Sequence, residues 1–141
     1  LVSGKEASAN IKAEVNAVAE SRPMYEQRSW GEYRVIDSSV FPDGAKALTK
    51  ELIIREGGQL DNQRHMHRGE VWTVISGTGE VVLDGLVQQV RAGSVVQIPS
   101  GTPHSARAVG GDLHVIEVQH GEVLIHDDAE PLDDFWNNLG D

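Results

Sequence analysis

The chain has 141 residues, enough for one hydrophobic core but not for two, so a single main domain is expected. It contains no cysteine, which excludes disulfides and thiolate chemistry. No apolar run approaches the ~20 residues of a membrane span, so we expect a cytoplasmic protein with no membrane contact. Its formal net charge of -10 repels phosphate backbones, so nucleic-acid binding is not expected and any phosphate site must be a local cluster of Arg or Lys.

Residues 1–22 differ in pattern from the rest of the chain. Ile11, Val15 and Val18 fall at i, i+4 and i+7 among Ala, Lys, Glu and Asn, which predicts a short helix that ends at Arg22-Pro23. We therefore divide the chain into a helical arm or linker (1–22) and a β domain (23–141). Because the first residue is Leu1 rather than Met, the segment is interpreted as a linker in a fragment of a longer protein, or as a native arm that packs on a partner subunit.

From Trp30 onward the chain is typical of an all-β domain. Short runs rich in Val and Ile are separated by Gly, Pro or Asp, and Asp84-Gly85 predicts a tight hairpin between two of them. Eight closely spaced runs favour a barrel or sandwich with room for one small ligand. The predicted strands cover 31–37, 45–56, 71–76, 79–83, 86–91, 94–98, 104–109 and 112–119.

Three histidines and one glutamate form a candidate metal site. His65 and His67 are two apart, so a regular strand would present both imidazoles on one side. Glu70 reaches the same point only if the chain bends near Arg68-Gly69, and the turn before His104 supplies a third imidazole. This nitrogen and oxygen set suits a divalent ion, with Zn preferred and Mn, Fe, Co or Ni as alternatives.

These residues resemble the two motifs of the cupin superfamily. The first motif is matched by Gly58, six residues, His65-Met66-His67, two residues, Glu70, six residues and Gly77. Compared with the motif, the chain has one extra residue after Gly58 and one fewer before Glu70. The second motif is matched by Gly93, five residues, Pro99-Ser100-Gly101, two residues and His104, and Ala108 stands where the motif ends in Asn. The resemblance implies a jelly-roll barrel, a double-stranded β-helix.

Five ordered blocks are similar to the type II phosphomannose isomerase domain, which is usually fused behind a mannose-1-phosphate guanylyltransferase. They lie between about residues 28 and 128. The blocks are Arg28-Ser29-Trp30-Gly31-Glu32-Tyr33, Gln63 to Trp72, Ile75-Ser76-Gly77-Thr78, Ile98 to His104, and Val115-Ile116-Glu117-Val118-Gln119-His120-Gly121. The resemblance implies a metal-dependent isomerisation of mannose 6-phosphate to fructose 6-phosphate.

The resemblance also implies roles for individual residues. Glu117 is the candidate base and Lys50 a second catalytic candidate, and burial of Glu117 would raise its pKa towards neutrality. The substrate-binding candidates are Gln63, Arg28, Arg68 and Arg107, and the metal ligands are His65, His67, Glu70 and His104. The expected partners are a sugar phosphate and a second copy of the chain in a homodimer.

The C-terminal tail departs from the family pattern. Ala129-Glu130-Pro131 replaces an arginine-bearing motif, which counts against isomerase activity, and Phe135-Trp136 is expected to cap the barrel or to pack against another subunit. Two alternatives therefore stay open: a metal-dependent dioxygenase that uses the same ligands, and a non-catalytic carbohydrate-binding or regulatory cupin.

Overall fold

The computed structural model describes residues 24–124 and 129–137, and within these ranges the only regular elements are β-strands. The helical arm expected over residues 1–22 lies outside the described part of the chain. Within that part, no helix has the length and apolar character needed to cross a membrane.

Eleven strands are formed by the described residues. They confirm the eight predicted runs and add three short strands at 25–28, 63–65 and 129–131. In chain order they are β1 (Tyr25–Arg28), β2 (Gly31–Val40), β3 (Lys46–Ile54), β4 (Gln63–His65), β5 (Gly69–Ser76), β6 (Thr78–Leu83), β7 (Leu86–Arg91), β8 (Val95–Ile98), β9 (His104–Ala108), β10 (Leu113–Gly121) and β11 (Ala129–Pro131).

The strands form two antiparallel sheets. The first has the order β1-β2-β3-β10-β5-β8 and the second the order β11-β4-β9-β6-β7. Strands adjacent in space are mostly distant in sequence, as expected for a jelly roll, in which two sheets enclose the core.

Two tight turns connect neighbouring strands. Asp84 and Gly85 have φ values of 48° and 81°, and positive φ at both central residues is what a type I′ turn requires, so the predicted hairpin between β6 and β7 is confirmed. Gly77 has φ 89° between β5 and β6, and a Cβ at this position would lie 2.1 Å from the carbonyl oxygen of Asp112. The chain can therefore pass this point only without a side chain.

The interior of the barrel changes from apolar to polar along the strands. On β10, the inward face carries Leu113 and Val115 and then Glu117 and Gln119, all buried. The apolar half packs with Leu52, Ile54, Trp72, Val74, Val96 and Ile98. A β-barrel with one apolar end and one polar end thus has a closed core at one side and a place for polar chemistry at the other.

Candidate metal centre

Three predicted ligands meet at the polar end of the barrel. His65 ends β4, Glu70 lies at the start of β5 and His104 begins β9, and each offers a ligand atom within 4.8 Å of the others. His65 Nε2 lies 3.3 Å from Glu70 Oε2, and His104 Nε2 lies 3.7 Å from Glu70 Oε1. All three side chains are buried.

The Pro-Ser-Gly-Thr-Pro turn holds the end of β4 in place. The backbone N–H of Gly101 donates to the carbonyl of His65 at 2.7 Å, and the Ser100 hydroxyl donates to the carbonyl of Met66 at 2.7 Å. The same turn leads directly into His104. Hydrogen bonds from one sequence motif therefore fix the position of a ligand in the other.

The hydrogen bond of His104 defines which ring nitrogen is available. Its Nδ1 lies 2.9 Å from the carbonyl oxygen of Thr102, and a carbonyl only accepts, so Nδ1 carries the proton. In the neutral ring, Nε2 then has a lone pair, and this buried atom has no hydrogen-bond donor. A lone pair that is buried without a donor is what a metal ligand requires.

Both imidazoles are held in their neutral form. Burial lowers the pKa of His65 to about 3, with the positive charge of Arg68 acting in the same direction. Burial also lowers the pKa of His104, against the opposing effect of the Thr102 carbonyl. Neutral imidazole is the form that binds metals, so two imidazoles and one carboxylate fit a divalent cation that keeps open coordination positions.

His67 is not brought into this cluster. Regular strand geometry ends at His65, and the chain bends through 66–68 before β5 begins at Gly69, so the alternation that placed His65 and His67 on one face is interrupted. The His67 side chain is exposed. The predicted bend near Arg68-Gly69 does carry Glu70 inward, but it turns His67 outward, and the expectation of His67 as a ligand does not match its placement.

Arg68 takes the inward position instead. Its side chain is only 6% exposed, its Nε donates to Glu70 Oε2 at 2.9 Å, and its terminal NH2 group lies 3.2 Å from His65 Nε2. The guanidinium therefore contacts two of the three candidate ligands.

Glu117 lies beside the cluster in a cross-strand row. It is paired in register with Lys50 on β3 and with Trp72 on β5. The Trp72 indole N–H lies 3.0 Å from Glu117 Oε1 and 3.1 Å from Glu70 Oε1, and the side-chain amide of Gln119 donates to Glu117 Oε2 at 3.1 Å. Neither the bridging role of Trp72 nor the donor role of Gln119 was predicted from the sequence.

The two buried carboxyl groups differ in their protonation. Burial and the neighbouring charge of Glu117 raise the pKa of Glu70 well above its ordinary value. Burial alone would raise the pKa of Glu117 as well, but the hydrogen bond with Glu70 and the charges of Lys50 and Arg68 outweigh it, so its pKa is lowered. The expectation of a raised pKa for Glu117 took account of burial and not of these neighbours.

A cavity of about 120 Å³ opens next to the cluster. It is lined by the predicted residues Arg28, Lys50, Gln63, Arg68 and Glu117, among others. The Lys50 ammonium lies 4.3 Å from the centre of the Tyr33 ring, and Arg28 forms an ion pair with Glu26 at 2.7 Å. The cavity therefore combines three cationic side chains with two carboxyl groups, those of Asp61 and Glu117.

Arg107 does not line this cavity. Its guanidinium pairs with Glu80 at 2.7 Å and stacks over the Trp136 ring at 4.4 Å from the ring centre. The Trp136 indole N–H donates to Ser105 Oγ at 2.8 Å. Arg107 thus anchors the C-terminal segment, and the structure gives no contact between it and the site.

The C-terminal segment 129–137 lies at the mouth of the cavity. Ala129 pairs with His65 in register and lines the cavity, and Glu130 accepts two hydrogen bonds from Arg64, both at 2.9 Å. The only sequence signal for this arrangement was the Phe135-Trp136 pair, whose expected capping role agrees with the burial of Trp136.

Comparison with known proteins was made with both the sequence and the structure. The family model described as mannose-6-phosphate isomerase C-terminal matches residues 14–134. The alginate biosynthesis protein AlgA of Pseudomonas aeruginosa is 32% identical over 115 residues, which are 81% of this chain and 23% of that protein. The mannose-1-phosphate guanylyltransferase of Escherichia coli is 32% identical over 113 residues, 79% of this chain and 23% of that protein. The chain spans about a quarter of the length of these relatives.

Solved structures show the same fold at low sequence identity. Bacillus subtilis oxalate decarboxylase OxdC, as a mutant, superposes with a TM-score of 0.66 and 17% identity over 82% of this chain and 32% of that chain. A RmlC-like cupin from Shewanella frigidimarina gives a TM-score of 0.59 and 17% identity over 69% of this chain and 82% of that one. These likenesses confirm the predicted cupin fold, and the sequence match shows that the chain belongs to the mannose-6-phosphate isomerase C-terminal family.

Proposed function

We propose that the domain is a metal-dependent sugar-phosphate isomerase that interconverts mannose 6-phosphate and fructose 6-phosphate. The observation that carries this proposal is the buried cluster of His65, Glu70 and His104 beside the Glu117 carboxylate, with His65 and Glu117 lining one cavity. Aldose-ketose isomerisation needs a group that polarises the substrate oxygens and a base that moves one proton, and the cavity offers residues for both.

His65, Glu70 and His104 are the residues that would hold the metal. A bound divalent ion supplies Lewis-acid polarisation of the carbonyl and the adjacent hydroxyl of the sugar. Glu117 is our candidate base: its lowered pKa keeps the carboxylate ionised at neutral pH and so able to accept the C2 proton, but makes it a weaker base than a group with a pKa near neutrality. The protonated carboxyl then returns this proton to C1. The electron pair of the C–H bond is held in an enediol between the two steps, and the O2 hydroxyl proton is transferred to O1, so that C2 becomes the carbonyl carbon.

The remaining cavity residues serve orientation. Trp72 and Gln119 donate to Glu117 and fix the direction of its carboxylate. Lys50 lies opposite Glu117 on the neighbouring strand, so its charge favours the ionised base. Arg28 and Gln63 also line the cavity and are our candidates for the phosphate and hydroxyl groups of the substrate.

Exchange of the C2 proton of mannose 6-phosphate with deuterated solvent tests the reaction directly. With Zn²⁺, Mn²⁺ or Co²⁺ supplied, we expect exchange and formation of fructose 6-phosphate. Glu117→Gln should reduce the rate by about 100-fold or more, since it keeps the shape and removes the base. Glu51→Gln, on β3 and paired with Arg34 away from the cavity, is the matched control and should retain the rate.

Absence of both exchange and fructose 6-phosphate formation in protein loaded with each metal would refute the proposed activity. Equal rates for Glu117→Gln and Glu51→Gln would remove Glu117 from the mechanism and leave the reaction itself in place.

A non-catalytic carbohydrate-binding function is the second candidate. It is favoured by one observation: the carboxyl groups of Glu70 and Glu117 are already engaged by hydrogen bonds from Trp72, Gln119 and Arg68. A binding protein would retain its affinity for mannose 6-phosphate in Glu117→Gln, measured by calorimetry, and would show no proton exchange. The homodimer, the cytoplasmic location and the division into residues 1–22 and 23–141 stay predictions.

A further inference from the structure

Arg68 occupies the centre of the ligand set. The guanidinium donates to Glu70 Oε2 and reaches His65 Nε2, and those two atoms are themselves 3.3 Å apart. The two ligand atoms and the guanidinium therefore form one compact group inside the barrel, at the place where a bound ion would carry the positive charge.

A guanidinium has only donors, so the contact with His65 Nε2 requires that nitrogen to accept. A neutral imidazole has a single lone pair, and its other nitrogen carries the proton. This agrees with His65 Nδ1, which is buried and has no hydrogen-bond partner. The lone pair of His65 can thus serve Arg68 or a metal ion, but it cannot serve both at once.

Electrostatics also disfavours simultaneous contact of Arg68 and a metal ion with the same ligands. Burying the Glu70 carboxylate without a cation is costly, and in the described structure Arg68 is the cation in contact with it. An ion bound by Glu70 would provide that charge itself, and the guanidinium would then face a like charge at short range.

From these contacts we infer that Arg68 is a resident cation that competes with the metal: it holds His65 and Glu70 together in the metal-free protein and leaves both when the ion binds. The inference rests on the metal-binding part of the proposed function. It assigns to Arg68 a positioning role at the metal centre in addition to the substrate-binding role predicted from the sequence.

The contact can be followed directly by NMR of the arginine Nε–H groups during a titration with Zn²⁺. The Arg68 Nε–H, identified by its absence in Arg68→Lys, should be protected from exchange without metal and should shift and lose protection as Zn²⁺ saturates the site. The Nε–H of Arg107, which donates to Glu80 at 2.9 Å, is the internal control and should not respond. An Arg68 signal unchanged at saturation would overturn the inference.

Affinity for Co²⁺, followed by its absorption spectrum and by calorimetry, gives the second test. Arg68→Met should bind Co²⁺ about tenfold more tightly or better, because hydrogen bonds to a charged group no longer have to be broken. Lys50→Met removes a positive charge from the same cavity without removing a contact to His65 or Glu70, so it measures the effect of charge alone. An equal gain in both variants, or no gain in Arg68→Met, would contradict the competition.

Further variants separate the remaining outcomes. If Arg68→Met does not fold, Arg68→Lys replaces it: this variant retains the charge but lacks the planar fork that reaches two partners, so it should bind Co²⁺ more tightly than the wild type. Adding His104→Ala to Arg68→Met should abolish the gain in Co²⁺ affinity, and this result would place the ion in the cluster. Failure of the wild type and of Arg68→Met to bind any of the metals refutes both the competition and the metal site. Tighter binding by Arg68→Met, together with no proton exchange and no fructose 6-phosphate formation in the metal-loaded wild type, supports the competition and refutes the isomerase.

Discussion

Glu70 and Glu117 lie on neighbouring strands and share one donor: the indole N–H of Trp72 is 3.1 Å from the first carboxyl and 3.0 Å from the second. All three side chains are buried. Burial and the neighbouring charge of Glu117 raise the pKa of Glu70. Burial acts in the same direction on Glu117, but the hydrogen bond with Glu70 and the charges of Lys50 and Arg68 outweigh it and lower the pKa of Glu117. The Trp72 indole therefore helps to set the direction of both groups.

Replacing Trp72 by Phe should destabilise the protein by about 2–3 kcal/mol, because the indole N–H donates to ionisable acceptors that stay buried. Trp136→Phe is the matched control, since it also removes one buried indole donor but its acceptor is the neutral Ser105 hydroxyl, and about 1 kcal/mol is expected. Urea unfolding measures both. Equal losses would show that the paired carboxyl groups do not depend on Trp72.

Gly77→Ala should be strongly destabilising, by more than about 2 kcal/mol, because the left-handed φ and the carbonyl of Asp112 leave no room for Cβ. Gly69→Ala should change stability by less than about 1 kcal/mol. A Cβ at Gly69 would lie 2.6 Å from the His120 ring, but the His120 side chain is exposed and can move aside. Replacing a glycine within a strand also stabilises the strand, which offsets part of the cost. Unfolding free energies of the two variants in the same urea series decide the order, and a larger cost at Gly69 would contradict it.

Trp136→Ala should detach the segment 129–137 from the second sheet. The variant loses a buried indole, a hydrogen bond to Ser105 and the stacking of Arg107, so a cost of about 3–4 kcal/mol is expected. Hydrogen exchange at Glu130 and Leu132 should rise before the rest of the protein opens. The partly exposed neighbour Phe135, changed to Ala, should cost less, and equal exchange in both variants would speak against Trp136 as the anchor.

The Glu80–Arg107 pair should make a small, pH-dependent contribution to the free energy of unfolding. The hydrogen bond from Arg107 lowers the pKa of Glu80 below its ordinary value of 4.5, so the folded protein binds fewer protons there than the unfolded chain. Its stabilisation is complete above the unfolded value and is lost as the pH falls through the lower folded pKa. Because the pair is partly exposed, the effect is below about 1 kcal/mol. The unfolding free energies of Glu80→Gln and the wild type should differ at pH 7, and the difference should shrink as the pH falls below 4.5; a constant difference would exclude this origin.

Much of the fold follows from local patterns. Alternation of Val and Ile, the Asp84-Gly85 turn and the spacing of the eight runs predict an antiparallel barrel, and the two histidine-bearing motifs predict which loops meet. The strand over 63–65 and its partner at 129–131 were missed because each has only three residues, and pairing with a distant segment, rather than local propensity, forms them.

The sequence alone determined the residue types of the centre and their order: His65, Glu70 and His104 follow from motif spacing. Only the tertiary structure decided which neighbours face inward. A single bend after His65 turns His67 to the surface and Arg68 into the barrel, and strand alternation cannot predict this because it holds only while the strand is regular. The pKa of Glu117 likewise depends on Glu70, Lys50 and Arg68, which are distant in sequence and meet it only through sheet register and the closure of the barrel.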